Sequence, residues 1–367
     1  MTSKKKNANS RVAFLFGAGA SVDAGLPTAA GLSVKLDDWL DRERRDLLPA
    51  LRFVTGALQF GRSCRGERIS DVTNIEDILS VCAFLASRDS SFVYPFVGAW
   101  HEQLGSIQRG FATTGRAGNP FEELGAVCRQ QLRIWLEIDT PERVKYLWSL
   151  QAFINAGFGV DIFTLNYDLA VELALNGIRG EVNGNWTVGF DATGWKPELL
   201  TRDFSARLFK LHGSLDWVRD EKLGLCSLQW PAATESEEIP ETTEPLLIFG
   251  TDAKLQAVDP FLTLLFWFQQ RLFESSALIV IGYSFNDRHV NDVIWEAMQR
   301  DAKKRCIVVN SDAIASLLSA DPKLARLASV ERRFREIKTT AKVALEQDLA
   351  LRALTDAAGE QASEEPF

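Results

Sequence analysis

Three runs of mostly apolar residues, far apart in the chain of 367 residues, each end in glycine or polar side chains. Residues 12–16 lead into Gly-Ala-Gly-Ala-Ser, residues 160–165 into Asn-Tyr-Asp, and residues 207–211 into His-Gly. Short apolar runs are typical of parallel strands that are covered on both faces. Because α/β proteins bind ligands at the carboxyl ends of such strands, we expect the three endings to line one site.

The rest of the chain continues the same alternation. Further strands are predicted at residues 246–249, 277–282 and 305–310. Buried strands that alternate with helices indicate an α/β fold with a Rossmann-like, doubly wound, mostly parallel sheet. The helices predicted between these strands cover residues 168–175, 261–273 and 291–300.

Between the first two strands the pattern is largely helical, which predicts a helical insertion domain in the sheet domain. The predicted division is a polar amino-terminal arm at 1–11, a Rossmann-type domain at 12–34 and 156–340, the insertion at 35–155, and a carboxyl-terminal helix with an acidic tail at 341–367.

One helix start in the insertion has a distinct signal. Thr73-Asn74-Ile75-Glu76 fits a capping box, with Thr73 as the cap and the Glu76 side chain reaching back to it. An apolar stripe at helical spacing follows, made of Ile78, Leu79, Cys82 and Leu85.

Composition excludes several classes of protein. The formal net charge of −8 disfavours nonspecific nucleic-acid binding by the whole surface. The five cysteines include no Cys-x-x-Cys pair, so we expect buried thiols in a reducing compartment, with neither a disulfide framework nor a zinc module. The first apolar run is too short for a signal peptide or a membrane helix, so a cytoplasmic protein is expected.

The glycine turn after the first strand has the composition of a phosphate-binding turn. Gly17, Ala18, Gly19 and Ser21 lead into a helix expected to start near residues 18–21, whose free N–H groups would point at an anion. The pattern G-x-G-x-x-G is incomplete, because Val22 occupies the third glycine position. A tight strand-to-helix turn that only needs small residues is the alternative.

The polar residues after the other strands also allow two interpretations. Asn166 and Asp168 are either helix caps or ligand-binding groups at the carboxyl edge of the sheet. A neutral imidazole at His212 can accept a proton near neutral pH. His289 either caps the helix that follows it or lines the pocket.

Taken in order, the glycine turn with the following Ala-Gly-Leu-Pro, the Asn-Tyr-Asp and the His-Gly resemble the sirtuin family, and more narrowly its bacterial sirtuin-like branch. The resemblance spans most of residues 12–310 and implies NAD⁺ as substrate, with no metal. Gly25 and Pro27 match the residues that shape the flexible cofactor loop of sirtuins. The chain departs after Pro27, where it has Thr-Ala-Ala in place of the Asp-Phe-Arg of sirtuin deacetylases.

The resemblance implies three catalytic residues. Asn166 would contact the nicotinamide ribose and position the attacking water. Asp168 would accept the carboxamide N–H, and His212 would act as the general base.

Two further strand ends match cofactor contacts of the family. Gly282 and Ser284 stand where sirtuins have a Gly-Thr-Ser in contact with the phosphates and ribose. Asn310 matches the asparagine that binds the adenosine ribose, although a single asparagine there also suits a plain turn.

The nicotinamide–ribose bond breaks through an oxocarbenium-like transition state. The nucleophile that then accepts the ADP-ribosyl group determines which reaction takes place. Sirtuin deacetylases use acetyl-lysine and carry a zinc module of four cysteines, whereas no two cysteines here have that spacing and residues 217–246 are rich in Pro and Glu. Water is therefore the favoured acceptor and NAD⁺ hydrolysis to nicotinamide and ADP-ribose the favoured reaction. A protein deacylase or ADP-ribosyltransferase, and a non-catalytic NAD⁺ or ADP-ribose sensor, remain alternatives.

The bacterial branch consumes NAD⁺ in antiphage defence and is held inactive until a partner or ligand activates it. A chain of this length resembles the stand-alone hydrolase that is paired with a HerA-type hexameric ATPase. The aromatic-rich helical region provides either a homo-oligomer interface or core packing; its tryptophans include Trp100, Trp135 and Trp148.

Overall fold

The computed structural model describes residues 11–66, 73–90, 100–178, 185–221, 224–228, 245–247 and 259–364. The described strands are β1 (Arg11–Phe16), β2 (Gly159–Thr164), β3 (Trp186–Thr187), β4 (Phe190–Asp191), β5 (Gly194–Trp195), β6 (Ala206–Lys210), β7 (Trp217–Asp220), β8 (Gly224–Ser227), β9 (Ala277–Ile281), β10 (Arg305–Asn310) and β11 (Phe334–Lys338). Seven of them form one parallel sheet in the order β11-β10-β9-β1-β2-β6-β3. This sheet, with helices packed against it, confirms the predicted α/β, doubly wound fold.

Five of the predicted strands correspond to β1, β2, β6, β9 and β10. The run at 246–249 is different: Leu247 makes only an isolated antiparallel bridge with Gly213, and residues 248–249 lie outside the described part of the chain. Sequence patterns missed the antiparallel pairs β4-β5 and β7-β8 and, in the main sheet, β3 and β11. Of these last two, the first has two residues, and the second is a sheet edge with several exposed side chains, so neither gives a buried apolar run.

The strand order changes direction at β1. From β1 the chain adds β2 and β6 on one side, and later adds β9, β10 and β11 on the other side. Strand ends diverge at such a switch point, and the crevice outside their carboxyl ends is where ligands bind in this class of sheet.

Two hydrophobic clusters support the two parts of the chain. The sheet cluster is formed by β1, its neighbours and the flanking helices, and also takes in Val144 and Phe153 from the segment before β2. The helical cluster is formed by buried side chains between Leu26 and Leu136, together with Tyr167 and Leu215 from the sheet domain. Trp135 and Trp148 pack partly buried against these clusters, whereas Trp100 is 41% exposed.

The described α-helices before β6 are α1 (Ala29–Glu43), α2 (Leu48–Cys64), α3 (Ile75–Ala86), α4 (His101–Ala112), α5 (Pro120–Trp135), α6 (Leu150–Asn155) and α7 (Ala170–Gly177). Those after β8 are Phe261–Glu274, Arg288–Arg300, Ile314–Leu317, Pro322–Ser329, Ala341–Glu346 and Leu349–Glu364. Among the helices described, none is long and apolar enough to cross a membrane.

The prediction that a helix starts near residues 18–21 is wrong. Two 3-10 turns, Ala18–Ala20 and Val22–Ala24, follow the glycine turn, and α1 begins at Ala29 behind its cap Thr28. Gly25 is left-handed, with φ +79°, and the proline at 27 disfavours a helical conformation of the residue before it. An α-helix therefore cannot run from the glycine turn into α1.

The prediction that Thr73 caps α3 is also wrong. Asn74 caps this helix, since its side-chain oxygen accepts the N–H of Glu76 at 2.9 Å, whereas the Thr73 hydroxyl is buried with no partner among the described residues. Asn is at least as good a cap as Thr, and here Asn74 has the extended backbone that a cap needs. The Glu76 carboxylate accepts a hydrogen bond from the Tyr167 hydroxyl at 3.0 Å.

The turns after β1 and β9 are packed backbone against backbone. A methyl group added at Gly17 would lie 2.6 Å from the Tyr283 Cα, and one at Gly19 would lie 2.7 Å from the Gly282 Cα. A methyl group at Gly282, where φ is +65°, would lie 2.2 Å from the Ala20 nitrogen. The three glycines are thus required because two chain segments occupy the space where side chains would be.

We expect Gly282→Ala to lower the free energy of unfolding by about 3 kcal/mol or more, because the left-handed backbone and the overlap with Ala20 both oppose the methyl group. Gly115→Ala is the matched control: its φ is +81° but nothing lies within 4 Å of the added methyl. The control should lose only about 1 kcal/mol from backbone strain. Denaturant unfolding measures both, and equal losses would contradict the packing role.

Candidate functional site

A cavity of about 980 Å³ lies at the carboxyl edge of the sheet, at the switch point between β1 and β9. It is bounded by the ends of β1, β2, β6, β9 and β10 and by the starts of α1 and α3. Eleven of the twelve residues predicted to form a site line it; Gly25 does not. The eleven are Gly17, Ala18, Gly19, Ser21, Pro27, Asn166, Asp168, His212, Gly282, Ser284 and Asn310.

Few backbone amides of the glycine turn are free for an anion, contrary to the expectation of an open helix start. The N–H of Gly19 donates to the Gly282 carbonyl at 2.9 Å, and that of Ser21 donates within the turn. The N–H groups of Ala18, Val22 and Asp23 donate to no acceptor within the described residues, and all three residues line the cavity. These three amides are therefore the ones that the turn leaves available to an anion.

Asn166 ties the second strand to the glycine turn. Its Nδ2 donates to the Gly17 carbonyl and to the Ser21 hydroxyl, both at 3.0 Å. Its own N–H donates to the Thr164 hydroxyl at 3.1 Å. The amide nitrogen is thereby committed, and within the described residues the side-chain oxygen has no partner.

Asp168 precedes the N-cap of α7, which is Leu169, so it is not itself the cap that the alternative interpretation predicted, but it bonds the start of this helix. One carboxylate oxygen accepts the N–H of Ala170 at 2.9 Å, at the start of α7. The side chain is buried but still lines the cavity. Bonding a helix start and lining the cavity are therefore not exclusive, because the Ala170 amide holds the carboxylate at the cavity wall.

His212 is held by a carboxylate that sequence patterns did not single out. Its Nε2 lies 3.1 Å from Oδ2 of Asp287, and both side chains are about 6% exposed. In a neutral imidazole the carboxylate retains the proton on Nε2, which leaves Nδ1 as an acceptor. Nδ1 is buried and has no hydrogen-bond partner in the described structure, and His212 lines the cavity.

Asp287 was missed because Asn-Asp before a helix indicates a cap. The residue is indeed the cap of helix Arg288–Arg300, where Oδ1 accepts the N–H of His289 at 3.0 Å. Its second oxygen is the one that meets His212. The available signal was an acidic residue shortly after a predicted strand that ends at the same sheet edge as the histidine.

Tyr167 is the second functional contact that sequence patterns missed. Burial raises the pKa of Tyr167 well above its ordinary value, and the negative charge of Glu76 raises it further. The hydroxyl therefore stays protonated and donates to Glu76, a residue of α3 that also lines the cavity.

The remaining predicted residues have clear structural partners. Asn310 donates to the Tyr283 carbonyl at 3.1 Å and accepts the N–H of Asp312, so it connects the ends of β9 and β10. Gly25 ends the second 3-10 turn and faces the Arg143 side chain. Ser284 is exposed at the cavity, and His289 does not line it.

A buried ion pair lies behind the Asn-Tyr-Asp turn. Lys210 donates to the Asp168 carbonyl at 2.5 Å and to Glu172 at 2.8 Å, and its side chain has no exposed surface. Burial raises the pKa of Glu172 to about 7, although Lys210 lowers it. The second oxygen of Glu172 is buried with no partner in the described structure, which disfavours its charged form.

We expect Glu172 to make stability depend on pH. Because its folded pKa is raised above the unfolded value of 4.5, its stabilising effect is complete below that value and is lost as the pH rises through about 7. Glu172→Gln should therefore become more stable relative to the wild type between about pH 5 and pH 8. Thermal unfolding across this range measures the difference; the exposed Glu122→Gln is the control and should run parallel to the wild type.

Within the described residues, no group of three or more His, Cys, Asp or Glu side chains is placed to hold a metal ion. Residues 229–244, most of the segment where a sirtuin zinc module would lie, are outside the described part of the chain.

Comparison with known proteins agrees with the sequence resemblance over part of the chain. Residues 160–335, just under half of the chain, match the model of a family described as SIR2-like domain. No curated protein matches the chain.

Several solved structures are similar in outline. One is a Sir2 homologue variant in complex with 2′-O-acetyl ADP-ribose, with 14% identity, a TM-score of 0.45, and coverage of 95% of this chain and 94% of that one. Another is a Sir2 homologue variant in complex with ADP-ribose, with 15% identity, a TM-score of 0.43 and full coverage of both chains. A Sir2 homologue–NAD complex has 14% identity, a TM-score of 0.43, and coverage of 92% and 88%.

These TM-scores lie below 0.5, so nothing about the site follows from them. The family match supports a sirtuin-like protein whose residues 160–335 are similar to the SIR2-like domain.

Proposed function

We propose that this chain is an NAD⁺ hydrolase that cleaves NAD⁺ to nicotinamide and ADP-ribose in the cavity at the sheet edge. The observation that supports this best is the buried His212–Asp287 pair: Nδ1 of His212 has no partner among the described residues, and His212 belongs to the cavity wall. A general base held in one tautomer suits a reaction that deprotonates water. A pure sensor of NAD⁺ needs no such base.

The reaction balances with the groups present. The bond between the nicotinamide nitrogen and ribose C1′ breaks, and its electron pair leaves with neutral nicotinamide. A water oxygen bonds to C1′, and its proton passes to Nδ1 of His212. Asn166, whose amide nitrogen is committed to Gly17 and Ser21, is left with its oxygen to hold the water or a ribose hydroxyl.

Charge at the cavity wall favours this bond cleavage. Positive charge develops on the ribose as nicotinamide leaves, and the carboxylates of Asp168 and Asp287 line the cavity at fixed positions. We assign Asp168 to the nicotinamide carboxamide, as the sequence resemblance implies.

The opposite end of the cavity would hold the dinucleotide phosphates and the adenosine. The amides of Ala18, Val22 and Asp23 are available for the phosphates. Ser284 and Asn310, at the ends of β9 and β10, would meet the phosphates and adenosine ribose. A volume of about 980 Å³ is at the upper end of the range of small-molecule sites and is sufficient for a dinucleotide.

The physiological setting we propose rests on the sequence resemblance. The hydrolase would act in the cytoplasm as an oligomer, paired with a HerA-type ATPase, and would deplete NAD⁺ during phage infection.

Water is preferred over a lysine acceptor because Thr28, Ala29 and Ala30 line the cavity in place of the Asp-Phe-Arg of deacetylases.

We expect nicotinamide release from NAD⁺ by the wild type, and losses in kcat of about 10²-fold or more in Asn166→Ala and His212→Ala. Asp287→Asn should lose at least about tenfold, because the amide no longer fixes the histidine tautomer as a carboxylate does. His289→Ala, a histidine outside the cavity wall, is the control and should retain activity within about twofold. Chromatography of nicotinamide and free ADP-ribose gives the rates.

The assay is run with the purified chain and with the chain co-expressed with the ATPase partner. Intact NAD⁺ in both preparations would exclude the hydrolase. ADP-ribose attached to protein, or acyl-ADP-ribose formed from an acylated peptide, would instead identify the transferase or the deacylase.

A further inference from the structure

The Asn-Tyr-Asp turn sends its side chains into two different parts of the molecule. Asn166 binds the glycine turn and Asp168 accepts the N–H of Ala170 at the start of α7, so neither side chain is held by the helical region. Tyr167, between them, is 6% exposed and belongs to the hydrophobic cluster of the helical region. The position of this turn therefore depends on both parts of the chain.

The polar end of Tyr167 meets one residue of the helical region. Its hydroxyl donates to Oε1 of Glu76 at 3.0 Å. Glu76 is in the first turn of α3, whose start is fixed by the Asn74 cap and by Ile75, which is 1% exposed. The acceptor is thus presented from a defined position on the cavity wall.

The backbone carbonyl of Tyr167 connects this residue to β6 and to the segment that follows it. Its carbonyl accepts the N–H of Leu215 at 3.1 Å and Nζ of Lys210 at 3.4 Å. Its ring centroid lies 6.4 Å from that of His212. A displacement of Tyr167 would therefore move Asn166 and Asp168 directly and His212 through the ring contact and the segment ending at Leu215.

We propose that Glu76 is a positioning residue for the hydrolase, supplied by the helical region, which holds the Asn-Tyr-Asp turn in register through Tyr167. This inference rests on the proposed function and gives the helical region a role in the reaction. Glu76 acts as a hydrogen-bond acceptor, so an uncharged acceptor of the same size replaces it.

Kinetics separate positioning from other roles. Glu76→Ala and Tyr167→Phe should each lower kcat about tenfold with KM for NAD⁺ within about twofold, because the phosphate end is untouched. Glu76→Gln retains an acceptor and should stay within about threefold of the wild type. The double variant Glu76→Ala/Tyr167→Phe should be no slower than either single one.

The control is Glu122→Ala, an exposed acidic residue in the first turn of α5 that does not line the cavity, and its kcat should be unchanged. A Glu76→Gln variant as slow as Glu76→Ala would overturn the positioning role, since it would show that charge is what matters. Additive losses in the double variant would also overturn it.

Hydrogen exchange tests the coupling without catalysis. Peptides covering residues 165–169 should exchange about tenfold faster in Glu76→Ala and Tyr167→Phe than in the wild type and in Glu122→Ala. Unchanged exchange in both variants would overturn the inference. If neither preparation of the wild type releases nicotinamide, only the proposed function fails, and hydrogen exchange still decides whether Glu76 holds the turn.

Discussion

The site depends on the direct packing of two glycine-containing turns at the switch point of the sheet. The turn after β1, with Gly17 and Gly19, packs directly against the turn after β9, with Gly282. Backbone atoms of each turn fill the space that side chains at these glycines would need. The hydrogen bonds from the Gly17 N–H to Ile281 and from the Gly19 N–H to Gly282 join the turns directly. Because adjacent parallel strands otherwise diverge into separate loops, this contact is what brings residues 17–23 and 282–287 to one cavity.

Three other contacts extend the same arrangement outward. Asn166 fastens the end of β2 to the β1 turn, and Asn310 fastens the end of β10 to the β9 turn. His212, after β6, meets Asp287 beyond β9. Each of these strand ends is thus tied to another by a side chain, and the residues that make the ties line the cavity.

Much of this arrangement was predictable from the sequence, and the part that was not has a physical explanation. Five of the seven strands of the main sheet, the sheet class and the positions of Asn166 and His212 follow from apolar runs that end in polar residues. Asp287 was hidden because its role as a cap already accounts for an acidic residue before a helix.

Two expectations failed for a related reason, namely that a tertiary contact replaced a local one. The glycine turn was expected to open an α-helix with free amides, but the turn after β9 and the turn itself use several of them. Glu76 was expected to complete a capping box, but it accepts a bond from Tyr167, which lies 91 residues away in the sequence. Sequence periodicity carries no signal for partners that far apart.

Hydrogen bonds to amides at helix starts explain how carboxylates can be both buried and fixed at the wall of the cavity. Asp168 and Asp287 each commit one oxygen to amides at a helix start, which fixes the direction of the other. For Asp287 the remaining oxygen is the one that orients His212. A carboxylate on a flexible loop would have to be ordered at each turnover, whereas one bound to a helix start is ordered by folding. The residues that look structural at this sheet edge are therefore the ones that give the proposed reaction its geometry.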